Sequence, residues 1–241
     1  MSSTKRDVPV ENRLLAALPS KEYKRLLPEL EHVILGFGKI LYEPGERVRH
    51  VYFPNDSIIS LLSTVSKRST LEVGIVGNDG MAGISVFMGV DTSRTRALVQ
   101  GPGTAARMRA EALRKESRQL GMLPRLLQRY SHSLLTQISQ SAACYRFHTV
   151  DARLARWLLM THDRVRSDEF RITQQFMSDM VGVRREGINK AVGALQRSKL
   201  ISSSRGSITI LNRRGLESVS CVCYGIIRDE SDSRLTKRTA A

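Results

Sequence analysis

Five side chains in the C-terminal third of the chain have the chemistry to read a nucleic acid: Arg184, Arg185, Glu186, Asn189 and Lys190. An Arg fork can donate two parallel hydrogen bonds to guanine O6 and N7, and a Glu can accept from cytosine N4. They share the outer face of a helix if Ile188, Val192 and Leu195 lie inward, and that spacing predicts a helix from about Arg184 to Arg197. Upstream, Thr173 can cap a shorter helix ending near Val181. Gly182 then supplies the backbone freedom of a tight inter-helix turn. Met177, Val181, Val183, Ile188, Val192 and Leu195 fall where two crossed helices must touch. The pattern is a helix-turn-helix. After it, Leu200-Ile201, Ser202 to Ser207 and Ile208 to Ile210 read as strand, turn and strand: a wing with Arg205 at its tip, placed for a phosphate backbone. A charged helix face alone is only a solvated surface. Here the Gly-centred turn, the Arg-Arg-Glu start and the wing point to DNA together.

The elements that must hold this unit follow from the rest of the 241 residues. Ten of seventeen glycines lie between Gly36 and Gly103. Among them run short β-favouring segments, separated by Pro44-Gly45, Pro54-Asn55-Asp56, Gly77-Asn78-Asp79-Gly80 and Gly101-Pro102-Gly103. That punctuation suits an antiparallel sandwich or barrel over residues 31–108. From Pro124 neither Pro nor Gly recurs until Gly182. Leu127, Tyr130, Leu134, Ile138, Ser141 and Tyr145 repeat at threes and fours, one stripe of a long helix. Such a stripe packs either on its own domain or on a partner helix; the small residues near its end suit the partner helix and make these six the expected dimer contacts. Asp151 to Met160 reads as a further helix with Leu154, Ala155, Leu158 and Leu159 inward and Arg153 and Arg156 outward. The expected organisation is an N-terminal unit (1–108), a connecting and dimerisation helix (109–150), a winged helix-turn-helix (151–228) and a flexible polar tail (229–241).

Composition bounds the function. Lys and Arg number 38 against 23 Asp and Glu, a formal charge of +15, which calls for a polyanionic partner. No stretch approaches the roughly 20 apolar residues of a membrane span. The N-terminus shows no signal-peptide pattern, so a cytoplasmic protein without a membrane partner is expected. No phosphate-binding Gly-rich loop, His-Glu-x-x-His or nucleophile turn marks an enzyme. Cys221 and Cys223 make a two-thiolate pair with no histidine near them in the sequence. The reading is structural thiols and no metal.

In its order of elements the chain resembles the Crp/Fnr transcription regulators of bacteria. The most specific part is Ile172 to Ile201, where Arg185, Glu186 and Lys190 match the family's base-reading Arg, Glu and second basic residue. The resemblance implies an α+β chain: an N-terminal antiparallel β-roll of the cyclic-nucleotide-binding type, a long dimerisation helix and a C-terminal winged helix-turn-helix. It implies Thr173 and Gln175 near phosphate, a homodimer on palindromic double-stranded DNA with half-sites roughly 10–11 bp apart, and RNA polymerase as a further partner. Lys190 departs from the Arg common in the family and lacks its fork. The family's cyclic-nucleotide turn carries a carboxylate where Gly80-Met81-Ala82-Gly83 has methionine, and Ile138-Ser139 offers no hydrogen bond to a base from Ile138. Cyclic nucleotide is therefore disfavoured. An iron–sulfur cluster of the Fnr type is excluded, because no cysteine precedes Cys144. None of the five histidines sits in a haem motif. Two alternatives stay open: a regulator that binds DNA only with an unidentified effector, and a non-DNA interaction protein.

Overall fold

The structure, a computed structural model, describes residues 11–66, 69–165, 167–204 and 206–236. Two short helices come first, α1 (Arg13–Ala16) and α2 (Ser20–Leu26). Seven strands follow: β1 (Glu31–Leu35), β2 (Ile40–Tyr42), β3 (His50–Pro54), β4 (Ile58–Ser66), β5 (Ser69–Val76), β6 (Arg96–Gly101) and β7 (Gly103–Arg109). They form two antiparallel sheets, ordered β1-β7-β3 and β2-β6-β4-β5. Leu35, Val51, Phe53, Ile59, Val99 and Met108 point between them and are buried, which closes the expected β-roll around an apolar core.

Next come α3 (Ala110–Ser117) and the 26-residue α4 (Met122–Phe147). Pro124 occupies the third position of α4, within the turn whose N–H groups lack intrahelical partners. Two of those orphan donors, the amides of Met122 and Leu123, reach the Glu22 carboxylate of α2 at 2.9 and 3.1 Å. A carboxylate at that end also complements the helix dipole.

The apolar stripe of α4 has a different partner from the one its spacing suggested. Leu127, Tyr130 and Leu134 lie in the core of the chain's own β-roll. Tyr130 donates its hydroxyl to the Met81 carbonyl at 2.7 Å, Tyr145 donates to the Glu72 carbonyl, Ser141 is buried, and Ile138 is half-buried against the roll. The six expected dimer contacts are thus used within one chain. The reason is that β5 runs beside α4: a Cβ on Gly74 would lie 3.3 Å from Leu134.

The C-terminal unit comprises α5 (Val150–His162), β8 (Glu169–Arg171), α6 (Gln174–Val181), α7 (Arg185–Arg197), β9 (Ile201–Ser204), β10 (Ser207–Ile210), α8 (Arg213–Val219) and α9 (Cys223–Thr236). Its strands form an antiparallel sheet ordered β8-β10-β9. Its core continues into the roll, because Ile58, Leu62 and Ile75 pack with Leu154, Leu158, Met177 and Ile188. Helix α5 therefore has almost no wet side. Arg153 and Arg156, expected outward, are buried. Arg153 donates to the Val181 carbonyl and lies 4.8 Å from the Tyr145 ring centroid, while Arg156 reaches Ser141 Oγ at 3.4 Å.

The tail also needs correction: residues 229–236, expected to be flexible, continue α9. Tyr224 and Ile227 on the same helix are buried. Ser231 Oγ lies 3.0 Å from Asp79 Oδ2, and Glu230 pairs with His132 of α4 at 3.0 Å. Polar composition hid a helix anchored by an apolar first turn and a few specific polar contacts. Residues 237–241 lie outside the described residues.

Candidate nucleic-acid interface

Helix α6 begins where Thr173 Oγ1 accepts the Phe176 amide at 3.1 Å, so this hydroxyl serves as a helix cap. The helix ends at Gly182, whose φ of 66° and ψ of 46° are left-handed. The amides of Gly182 and Val183 both return to the Ser178 carbonyl, at 2.9 and 3.1 Å, and Ser178 Oγ donates to the Val183 carbonyl at 2.5 Å. That closed turn sets the crossing of α6 and α7.

Arg184 is the N-cap residue of α7. Ile188, Ala191, Val192 and Leu195 of this helix are buried, and Arg184, Arg185, Glu186, Asn189 and Lys190 are all exposed. Among the described residues, Arg184, Arg185 and Lys190 enter no ion pair, whereas Arg25, Arg96, Arg107, Arg114, Arg164 and Arg213 do. The start of α7 therefore presents cations that enter no ion pair among the described residues, while other arginines of the fold are held by carboxylates. Gln175 is exposed on α6 and its amide donates to Asp179 Oδ1 at 3.0 Å. The wing forms from β9 and β10, with β8 added on the other edge of β10. Arg205 lies outside the described residues. Spacing alone missed Arg171, exposed on β8 and in register with Ser207, which adds a cation to the wing sheet.

The winged unit leans on the roll. The Phe176 ring of α6 is 5.5 Å from that of Phe37, and a Cβ on Gly182 would come 2.3 Å from Leu71 Cδ1 of β5. At the turn compared with a cyclic-nucleotide site, Met81 and Ala82 are fully buried, and the Tyr130 ring occupies the space above Gly80. Arg96 of β6, a cation of the same sheet system, ion-pairs with Glu43 at 2.8 Å.

One cluster escaped the spacing argument. Cys221 and Cys223, which have no histidine near them in sequence, meet Cys144 and His148 from the end of α4. The contact between Cys144 and Cys221 spans 77 residues, beyond any local motif.

No helix among the described residues is long and apolar enough to cross a membrane. Residues 152–219 match the family described as Crp-like helix-turn-helix domain. No curated protein sequence matches the chain. Among solved structures, a Crp/Fnr-family transcriptional regulator from Eubacterium rectale is 16% identical, with a TM-score of 0.67 over 86% of this chain and 96% of that one. FixK2 from Bradyrhizobium japonicum is 14% identical, with a TM-score of 0.65 over 80% and 98%. The c-di-GMP-responsive global regulator CLP from Xanthomonas campestris is 18% identical, with a TM-score of 0.61 over 80% and 99%. At these identities the likeness is one of fold. Residues 152–219 are thus similar to the Crp-like helix-turn-helix domain, on a chain that has the fold of the Crp/Fnr transcriptional regulators.

Proposed function

We propose that this chain is a sequence-specific DNA-binding transcriptional regulator that works in the cytoplasm as a homodimer on a palindromic site, with RNA polymerase as a further partner. The observation that carries the reading is the first turn and a half of α7, where Arg184, Arg185, Glu186, Asn189 and Lys190 are exposed and its cations enter no ion pair among the described residues. Arg185 and Glu186 read base edges, and Asn189 and Lys190 add contacts deeper along the helix. Arg184, Gln175, the helix amide ends and the wing with Arg205 position the phosphates, with Thr173 holding the start of α6 in place.

The dimer forms through the side of α4 turned away from the roll. Arg125, Gln128, His132, Leu135, Ser139, Ala142 and Arg146 are exposed and alternate at spacings of three and four, the repeat of a helix-to-helix seam. Leu135 is 58% exposed although it is a large apolar side chain. No cyclic nucleotide is required: Met81 replaces the expected carboxylate, and Arg96 is engaged by Glu43.

The test is selection of bound duplexes from a random pool by the purified chain, without added ligand, beside Arg185→Ala. A palindromic motif that vanishes in the variant supports the reading. Binding without a motif, equal for both proteins and steep in salt, overturns it, because only charge would then be read.

A further inference from the structure

Cys144 lies in the last turn of α4, and His148, the residue that caps the helix, stays beside it because its amide donates to the Cys144 carbonyl at 3.1 Å. Cys221 in the segment before α9 and Cys223 at its first position arrive at that turn from the opposite side. The three sulfurs and one imidazole nitrogen all lie within 4.8 Å of one another. Cys144 Sγ is 3.4 Å from Cys221 Sγ, and Cys223 Sγ is 3.6 Å from His148 Nδ1. Zn–S bonds of about 2.3 Å in a tetrahedron separate neighbouring sulfurs by roughly 3.8 Å, so two of the six edges stand close to that geometry already.

We propose that Cys144, His148, Cys221 and Cys223 form a Cys3His site for a single zinc ion. Three buried thiols and a half-buried imidazole offer soft donors, with no carboxylate among them, which selects zinc over magnesium or calcium. All four positions are filled by protein, the arrangement of a structural rather than a catalytic zinc. Three thiolates, a neutral imidazole and Zn2+ carry a net charge of −1. The buried Arg156 guanidinium, close enough to interact with Cys144 and Cys221, offsets it without leaving helix α5. Ligand atoms packed this closely enclose one ion and leave no room for the several atoms of an iron–sulfur cluster.

The ion ties the last turn of α4 to the first turn of α9. The same two helices meet again at His132 and Glu230. The metal therefore clips the C-terminal helix of the winged unit to the long helix on which the roll is packed. Zinc binding releases the thiol protons to solvent and changes no oxidation state.

The test uses the full chain, purified under reducing conditions without added metal, and measures zinc by elemental mass spectrometry. The stripped chain is then titrated with cobalt(II). One zinc per chain is expected, as is the visible absorption of tetrahedral cobalt–thiolate, abolished by stoichiometric zinc. Cys223→Ser should weaken zinc by at least about 100-fold against a chromophoric chelator, more than changes around a metal site usually cost. Cys223 is buried, so His148→Ala, at a half-buried position, provides a second variant with less risk to folding, and its circular dichroism is compared with that of the parent. Val222→Ala, at an exposed position between two ligands, should leave affinity unchanged. A folded parent that takes up no zinc and gives no cobalt–thiolate absorption overturns the site. So does a Cys144–Cys221 disulfide under the same reducing conditions, or iron with inorganic sulfide in place of zinc.

Discussion

The indole N–H of Trp157 donates to Oε1 of Glu72 at 2.9 Å, and through that bond helix α5 of the winged unit is fastened to strand β5 of the roll. Further buried polar contacts lie beside the apolar packing of this joint. Arg164 pairs with Asp79 at 2.9 Å with both side chains nearly buried, and Gln100 bridges Ser60 Oγ at 2.6 Å and Thr161 Oγ1 at 3.2 Å. A buried network of this kind specifies one relative placement more than it adds stability, because the cost of drying its charges offsets much of their attraction. These contacts join the roll to the winged unit.

Burial pushes the Glu72 carboxyl up to about 7, against hydrogen bonds from Ser60 and Trp157 that favour the charged form. Its Oε2 is buried with no hydrogen-bond partner among the described residues, so a charge on that oxygen would go uncompensated. In the unfolded chain the group returns to its ordinary value of 4.5. Between those two values the folded protein holds a proton that the unfolded chain has lost. The stabilisation is complete below pH 4.5 and disappears as pH rises through 7, a change of about 3 kcal/mol. Denaturant titrations of the parent and Glu72→Gln from pH 4 to 8 should show that the variant lacks this decline. Parallel curves would contradict the assignment.

Gly80→Ala should lower stability by about 1–3 kcal/mol, since the new methyl meets the Tyr130 ring at 2.5 Å in a filled core. Pairing it with Tyr130→Leu should recover part of the loss, which a double-mutant cycle in chemical denaturation would read. Additive effects would mean that the two side chains do not compete for this space.

Gly182→Ala places a side chain at a φ of 66° and 2.3 Å from Leu71. It should cost about 1–3 kcal/mol and expose Leu71 and Phe176, detected as faster hydrogen exchange in β5 and α6. Unchanged exchange with unchanged stability would show that this docking is not held by the turn.

Leu135→Glu tests the seam on α4. The side chain touches little of its own chain, so the fold should persist while sedimentation at micromolar concentration shifts from dimer to monomer. A parent that sediments as a monomer, or a variant that remains dimeric, would contradict the seam.

What the sequence made legible was local. Thr173, Gly182 and the three-and-four spacing of Ile188, Val192 and Leu195 are set by short-range turn and helix chemistry, and the helix-turn-helix stands where they place it. The α4 stripe was equally legible as a buried face, but periodicity does not say what covers it. Strand β5, more than fifty residues earlier in the chain, does so. Arg153 and Arg156 defeat the rule that charge faces water because carbonyls, Ser141 and the Tyr145 ring receive them inside. The thiols failed for a related reason: Cys221 and Cys223 find Cys144 and His148 only once α9 folds back along α4. Helix α9 itself was hidden by its polar residues.

The central claim is that exposed residues at the start of α7 read sequence rather than only attract phosphate. The most direct measurement is the ratio of affinities for the selected palindrome and for a scrambled duplex of equal length, at one fixed salt concentration, in the parent and in Arg185→Ala. The parent should prefer the palindrome by at least about 10³-fold. Losing one bidentate base contact in each half-site should lower that ratio by at least about 10-fold, with little change on the scrambled duplex. A parent ratio near one, or an equal loss on both duplexes in the variant, would contradict it.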